Sequence, residues 1–155
     1  MKKGIKDILF FSIVFVVIDQ IIKAVISSKM ILNQTFVITK NFFSITLVHN
    51  TGAAFSILEN NTFLLAIIGI TAVIGLILYI RKLEIIEDIE IFTYALLIGG
   101  IVGNLIDRIV HGYVIDYLSF KFGSYYFPIF NFADVCIVLA VIIYLIQIIK
   151  VDVWK

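Results

Sequence analysis

The sequence predicts an all-α membrane protein that carries a small β-sheet, and three observations lead to this fold class. The chain is 62% hydrophobic and only 15% charged over 155 residues, whereas about a quarter of the residues are charged in a soluble domain. Apolar residues form four long runs, at 8–26, 63–80, 91–110 and 132–149, and about 20 such residues cross a bilayer. Two of the segments between these runs alternate apolar with polar residues.

The four apolar runs are predicted to be transmembrane helices. Lipid offers no partner to a backbone amide, so a spanning segment must satisfy its own hydrogen bonds. The first run follows a basic N-terminus, as a secretory signal would, but it contains Asp19 and Lys23 and no small-residue cleavage site follows it. We therefore expect the first run to be a retained span.

The basic residues beside the spans predict the orientation. Seven lie on the side of the termini and four on the other side. The seven are Lys2, Lys3, Lys6, Arg81, Lys82, Lys150 and Lys155, and the four are Lys29, Lys40, Arg108 and Lys121. Both termini are therefore expected to be cytoplasmic, with a short charged cytoplasmic hairpin at 81–90.

The two outer connections are predicted to form a small extracytoplasmic sheet, or cradle. Segments 34–39, 43–50 and 113–120 alternate with the period of a half-buried strand. An aromatic tract between 125 and 132 is expected at the outer membrane interface. Without internal repeats or flexible linkers, residues 1–155 are expected to form a single domain.

Polar residues of the spans gather near the outer boundary once the helix directions are set. Asp19 and Lys23 are four residues apart, which favours a self-neutralised ion pair. Asp107 and Arg108 are interpreted first as a structural brace, and catalysis by Asp107 is the alternative. Ala95, Gly99 and Gly103 form a ridge of small residues that predicts close helix packing.

Two aspartates, Asp116 and Asp134, remain without a cation in register. Two carboxyl groups that share a site at the edge of lipid are expected to share a proton, so that one acts as base and the other as acid. Two other interpretations stay open. Asp134 lies three residues after Asn131, as in a capping box, and Asp116 could be a solvated strand residue.

Several other residues are weaker candidates for a site. His49 is interpreted as a surface or hydrogen-bonded residue before a base or ligand, and Cys136 as a buried structural thiol. No metal site is expected, because His49 and His111 lack helical ligand spacing. Segment 50–52 is read first as a turn, with substrate binding by Asn50 as the alternative. A net charge of +1 gives no case for nucleic acid.

Five motifs, in order along the chain, resemble those of the bacterial lipoprotein signal peptidases (signal peptidase II). They are DQIIK at 19–23, NTGAAFS at 50–56, GGIVGNLIDR at 99–108, VIDY at 114–117 and FNFAD at 130–134. The similarity spans nearly the whole chain. One departure is Tyr117, where the family more often has Phe.

The resemblance implies an aspartic endopeptidase of the bacterial plasma membrane, with four transmembrane helices and an outer β-cradle. It would remove the signal peptide of a prolipoprotein just before the diacylglyceryl-modified cysteine, with Asp116 and Asp134 as catalytic dyad and with neither cofactor nor metal. The residues implied to shape the site or bind substrate are Asp19, Lys23, Asn50, Gly52, Asn104, Asp107, Arg108 and Asn131.

The expected partners are diacylglyceryl-prolipoproteins, membrane lipids and globomycin-type inhibitors, with no nucleic acid, and the protein is expected to be a monomer with its site at the outer face. Two other function classes are alternatives. An ion- or proton-coupled carrier or channel subunit would also place Asp and Lys in spans, but the polar residues stop in the outer half and no paired halves are evident. A lipid-modifying enzyme would be expected to depend on His49 or Cys136.

Overall fold

A computed structural model describes residues 3–52, 58–83 and 86–153, and within these ranges it contains four long helices and four strands. In chain order they are α1 (Lys3–Lys29), β1 (Thr35–Thr39), β2 (Phe43–Asn50), α2 (Thr62–Lys82), α3 (Asp88–His111), β3 (Val114–Phe122), β4 (Tyr125–Tyr126) and α4 (Phe132–Val153). The predicted fold class is confirmed.

Each of the four helices is long and apolar enough to cross a membrane. The spans run over Gly4–Lys29, Thr62–Lys82, Asp88–His111 and Phe132–Ile149. Their outward faces expose large apolar side chains such as Phe10 and Phe63, as lipid-facing positions do. The four predicted spans are therefore confirmed, with ends that differ by a few residues.

Helix α3 packs against α1, α2 and α4 and is the most buried of the four. The predicted ridge of small residues explains how closely α1 approaches. A Cβ added at Gly99 would lie 2.8 Å from the Cβ of Phe15, and one at Gly103 would lie 2.6 Å from Oδ2 of Asp19. Gly100, which the predicted ridge did not include, allows an equally close approach of α4. A Cβ added at Gly100 would lie 2.5 Å from the carbonyl oxygen of Ala133.

The four strands form one antiparallel sheet in the order β1-β2-β3-β4. Residues of β2 pair with β3 so that Asn50 lies opposite Val114 and Val48 opposite Asp116. The three predicted strand segments are confirmed. The short strand β4 was not predicted: its two tyrosines belong to the aromatic tract that we had assigned only to the membrane interface.

Two connections bring the end of α3, strand β3 and the start of α4 together. Helix α3 ends at His111 and is capped by Gly112, whose φ of 78° is left-handed and whose amide donates to the carbonyl of Arg108. Strand β3 follows at once. Before α4, the carbonyl of Phe130 accepts the amides of Tyr117 at 3.0 Å and Leu118 at 2.8 Å, so the start of α4 is held against β3.

Candidate active site

A cleft of about 1010 Å³ opens between the sheet, the end of α3 and the start of α4. Asp116 reaches it from β3 and Asp134 from the first turn of α4. Because side chains alternate along a strand, Asp116 shares this side of the sheet with Val114, while Ile115 lines a second cavity of about 450 Å³ behind it. Asp116 and Asp134, for which the sequence predicts no cation in register, therefore lie in one cleft.

Amide side chains hold both carboxyl groups. Asp116 accepts hydrogen bonds from the Nδ2 atoms of Asn50 at 2.8 Å and Asn131 at 2.7 Å. Asp134 accepts one from Nδ2 of Asn104 at 2.7 Å. Among the described residues, neither aspartate has an ion-pair partner within 4.0 Å. The site therefore orients the two carboxyl groups with neutral donors.

Burial and a neighbouring charge change the acidity of Asp116. Removal from water is the larger effect and the nearby Asp134 carboxylate adds to it, so that the pKa of Asp116 rises from 3.8 to about 7, against the opposing hydrogen bonds from Asn50 and Asn131. Near neutral pH this carboxyl group is therefore divided between its protonated and ionised forms, which is the condition for proton transfer in either direction.

The capping-box interpretation of Asp134 is confirmed as well. The amide of Asn131 donates to Oδ2 of Asp134 at 3.1 Å, and the amide of Asp134 donates to Oδ1 of Asn131 at 3.0 Å. Oδ1 of Asp134 stays directed to Asn104 and the cleft. The capping and cleft positions of this side chain are therefore compatible, because they use different oxygen atoms.

The four amides at the start of α4, residues 131–134, all have side-chain acceptors. Besides the two of the capping box, the amide of Phe132 donates to the hydroxyl of Tyr117 at 3.2 Å and that of Ala133 donates to Oδ1 of Asp19 at 3.0 Å. The first turn of a helix otherwise leaves these groups unsatisfied. The helix that carries Asp134 is thus fixed by residues of α1 and β3.

A buried ionic cluster lies behind the cleft. Nζ of Lys23 is 2.8 Å from Asp19 and 2.8 Å from Asp107, and all three side chains are almost fully buried. The predicted Asp19–Lys23 pair is confirmed. The predicted Asp107–Arg108 brace is wrong as an ion pair: Asp107 binds Lys23 instead, because adjacent helix residues do not face each other.

Arg108 is directed to the cleft. Its Nη2 donates to the carbonyl of Gly52 at 3.2 Å, while its buried Nε has no hydrogen-bond partner among the described residues. The oxygen of the Asn50 side chain accepts the amide of Gly52 at 2.9 Å, which confirms the predicted turn. Motif residues 53–56 and hairpin residues 84–85 lie outside the described part of the chain.

The predicted site residues therefore divide into two groups. Asn50, Gly52, Asn104 and Arg108 line the cleft with the two aspartates. Asp19, Lys23, Asp107 and Asn131 are buried and do not line it, so of the two implied roles, shaping the site is the one their positions fit. Cys136 is buried, as expected.

Three contributors near the site were not predicted. Gln20 donates from Nε2 to Asp107 at 3.0 Å and to Asp19 and the carbonyl of Gly103 at 3.2 Å. Tyr117 stands out in the sequence only as a departure from the family pattern, and the sequence does not predict that its hydroxyl caps α4. Glu59 lines the cleft from a loop. Only Gln20 could have been found from the sequence, because it is a polar amide next to Asp19 within an apolar span.

His49 lies at the edge of the site and has a packing partner. Its ring stacks on Tyr113 with the centroids 3.8 Å apart. Burial, and then the neighbouring His111, lower the pKa of His49 below 6.5. Among the described residues, no three His, Cys, Asp or Glu side chains are grouped as metal ligands.

Four apolar spans and a cleft that holds two carboxyl groups without an ion-pair partner among the described residues define a multi-pass membrane protein whose site is suited to acid–base chemistry. Comparison with known proteins gives this class a family. The model for signal peptidase (SPase) II matches residues 11–150. The chain belongs to the signal peptidase II family, and it is therefore a multi-pass bacterial membrane peptidase, a hydrolase of lipoprotein processing.

Individual relatives agree with the family match. The chain is 39% identical over 141 residues to a lipoprotein signal peptidase of Symbiobacterium thermophilum, which covers 91% of this chain and 93% of the relative. It is 44% identical over 108 residues to one of Francisella tularensis subsp. novicida, covering 66% and 67%. A solved structure described as a bacterial membrane enzyme has a TM-score of 0.85 at 31% identity, covering 92% of this chain and 87% of that one.

Proposed function

We propose that this protein is an aspartic endopeptidase that cleaves the signal peptide from prolipoproteins immediately before the diacylglyceryl-modified cysteine. Asp116 and Asp134 are its catalytic dyad. The observation that carries the proposal is that these two carboxyl groups face one cleft and are held by asparagine amides, with no ion-pair partner within 4.0 Å among the described residues.

The dyad begins the reaction with one shared proton. Asp134 is the ionised member, because the start of a helix favours negative charge, and Asp116, with its pKa of about 7, holds the proton. Asp134 takes a proton from a water molecule, and the water oxygen attacks the scissile carbonyl carbon while Asp116 protonates the carbonyl oxygen. In the second step, the proton on the former carbonyl oxygen returns to Asp116. Asp134 gives its proton to the leaving nitrogen, and the C–N bond breaks.

The polar neighbours of the dyad have separate roles in this reaction. Asn50, Asn104 and Asn131 orient the two carboxyl groups through the hydrogen bonds already described. Arg108 lines the cleft beside the dyad and holds the carbonyl of Gly52, so its guanidinium group is placed to donate to a carbonyl of the bound substrate. This division leaves the acid–base chemistry to the aspartates alone.

The cleft also suits a substrate that remains anchored in lipid. It continues past Asp134 along α4, where it is lined by apolar residues that include Val135, Val138 and Leu139, and Val138 is largely exposed. Acyl chains held at this surface contribute binding energy far from the scissile bond, and that energy can position the bond at the dyad. We propose that this arrangement selects the diacylglyceryl-modified cysteine.

The proposed orientation puts the dyad at the outer face of the plasma membrane and both termini in the cytoplasm. It is supported by the excess of basic residues on the terminal side, seven against four. Labelling of single cysteines placed at either terminus, with and without membrane permeabilisation, tests it. Labelling of a terminal cysteine in intact cells would contradict it.

The experiment that tests the dyad compares the wild type with Asp116→Asn and Asp134→Asn, each shown to be folded in detergent. The substrate is a diacylglyceryl-modified prolipoprotein, without added metal. Asparagine keeps the size of the side chain but cannot carry the exchanged proton, so both variants are expected to lose at least about 10³-fold in kcat. Asp7→Asn, on α1 outside the site, is the matched control and is expected to retain activity.

The possible outcomes test the catalytic dyad and the substrate selection separately. If either dyad variant stays within about tenfold of the wild type, the proposed dyad is wrong. If the wild type cleaves the unmodified prolipoprotein equally well, the proposed selection for the lipid-modified cysteine is wrong. Protection of the lipid-modified substrate by globomycin is expected if the inhibitor occupies the same cleft.

A further inference from the structure

The buried ionic cluster connects the two halves of the proposed dyad, which come from different elements. Lys23 on α1 contacts one carboxylate of its own helix, Asp19, and one of α3, Asp107, both at 2.8 Å. One ammonium group thus joins two carboxylates that are far apart in sequence. Such a link fixes the position of two oxygen atoms relative to each other.

Each of those carboxylates also holds the backbone amide just before a dyad aspartate. Asp107 accepts the amide of Ile115 at 3.1 Å, and Ile115 precedes Asp116. Asp19 accepts the amide of Ala133 at 3.0 Å, and Ala133 precedes Asp134. The cluster is therefore continuous from one dyad residue to the other, through two backbone hydrogen bonds and two ion pairs.

A third contact of Lys23 reaches the dyad through a side chain. Nζ donates to Oδ1 of Asn104 at 2.9 Å, and this occupies the acceptor end of the amide. The donor end, Nδ2, then faces Oδ1 of Asp134 at 2.7 Å. Nδ2 of Asn131 donates to the same oxygen at 3.0 Å. Lys23 and Asn131 therefore together determine which way the Asn104 amide points, since both of these groups can only donate.

The side chains around Asp19 are closely packed. Asp19 and Lys23 are each 1% exposed and Asp107 is 0% exposed. Oδ2 of Asp19 lies so close to Gly103 that an added Cβ there would be 2.6 Å away. A change of side-chain length at this position must therefore move a neighbour.

We infer that Lys23, Asp19 and Asp107 form a clamp that sets the separation of Asp116 and Asp134. This inference rests on the proposed function. The three residues are positioning residues: they contact neither the cleft nor the reacting atoms, and they act through the amides of Ile115 and Ala133 and through Asn104. A cluster that served only to neutralise buried charge would need the same charges but no particular side-chain length.

Two kinds of substitution separate length from charge. Asp19→Glu and Asp107→Glu keep the charge but add one methylene. Asp19→Asn and Asp107→Asn keep the length and an oxygen that can accept the backbone amide, but remove the charge. The quantity measured is kcat per folded molecule on the lipid-modified prolipoprotein, together with KM, and Asp7→Glu at the other end of α1 is the control.

The clamp predicts that the Glu variants are the more impaired. A displacement of about 1 Å at a catalytic group costs on the order of 100-fold, so both Glu variants are expected to lose about 100-fold in kcat with KM within about threefold. The Asn variants are expected to lose about tenfold, as when one hydrogen bond to a charged group is weakened. Asp7→Glu is expected to be unchanged.

The reverse order would overturn the inference. If the Glu variants match the wild type in kcat per folded molecule while the Asn variants are impaired, the cluster acts through its charge and not as a clamp. Failure of the proposed function has another signature, because in that case Asp116→Asn keeps its activity whatever the cluster variants do. Should one Glu variant not fold, its counterpart on the other carboxylate supplies the same comparison.

Discussion

The described part of the chain contains two pairs of aspartates that are partnered in opposite ways. Asp19 and Asp107 share the ammonium group of Lys23, whereas Asp116 and Asp134 are held by asparagine amides and face an open cleft. A carboxylate next to a cation stays ionised and its lone pairs are occupied. The cation therefore decides which pair stabilises the fold and which pair is available for proton transfer.

The largest expected effect tests this division directly. Lys23→Met leaves two carboxylates buried without a cation, and breaking a buried ion pair costs about 3–5 kcal/mol. Thermal unfolding in detergent should show this loss. Asp116→Asn should cost less, about 1–3 kcal/mol, because it turns an amide nitrogen toward the Nδ2 donor of Asn50 or Asn131, although it also removes a carboxyl group that is costly to ionise. If Asp116→Asn were the less stable of the two, the division between the pairs would be wrong.

A smaller loss of stability is expected from Gly100→Ala, because the added methyl group pushes α3 away from the start of α4. The added Cβ would lie 2.5 Å from the carbonyl of Ala133 and 2.7 Å from Cγ1 of Ile137, and such overpacking costs about 1–3 kcal/mol. Gly75→Ala on α2 is the matched control, because nothing lies within 4 Å of its added Cβ. Equal unfolding temperatures for the two variants would show that this helix contact is not tight.

The next prediction concerns the pH dependence of cleavage, which depends on Asp116 and Asp134 and not on the ion-paired Asp19 and Asp107. The proposed reaction needs the proton on Asp116, whose pKa is about 7, so kcat/KM should fall about tenfold per pH unit above about pH 7. Since the folded state holds this proton more tightly than the unfolded chain, stability should decrease as the pH rises from about 4 to about 7. A kcat/KM that stays constant to pH 9 would contradict this role.

The smallest effect concerns the cap of α4. Tyr117→Phe removes only the hydroxyl that accepts the amide of Phe132, and a hydrogen bond of this kind contributes about 0.5–1.5 kcal/mol. Unfolding should shift by that amount, while kcat should stay within about threefold of the wild type. A loss of more than tenfold in kcat would place the hydroxyl among the groups that contact the substrate.

The helices and the locations of the aspartates could be predicted because hydropathy and helical spacing are local properties. The ion pair of Asp19 with Lys23 was predictable for the same reason, as a contact between residues one turn apart. The partner of Asp107 was not, because it depends on how closely α1 approaches α3 at Gly103. The same limit applies to Asn104 and Asn131, whose bridging hydrogen bonds join residues 15 to 81 positions apart.

The buried cluster also has a consequence for how the chain enters the membrane. Helix α1 carries an acid and a base one turn apart, so it can enter lipid with its charges already compensated. Asp107 has its ion-pair partner on α1 and not on its own helix. The insertion of α3 is therefore coupled to its pairing with α1, and biogenesis of the bundle should stall at this step when Lys23 is absent.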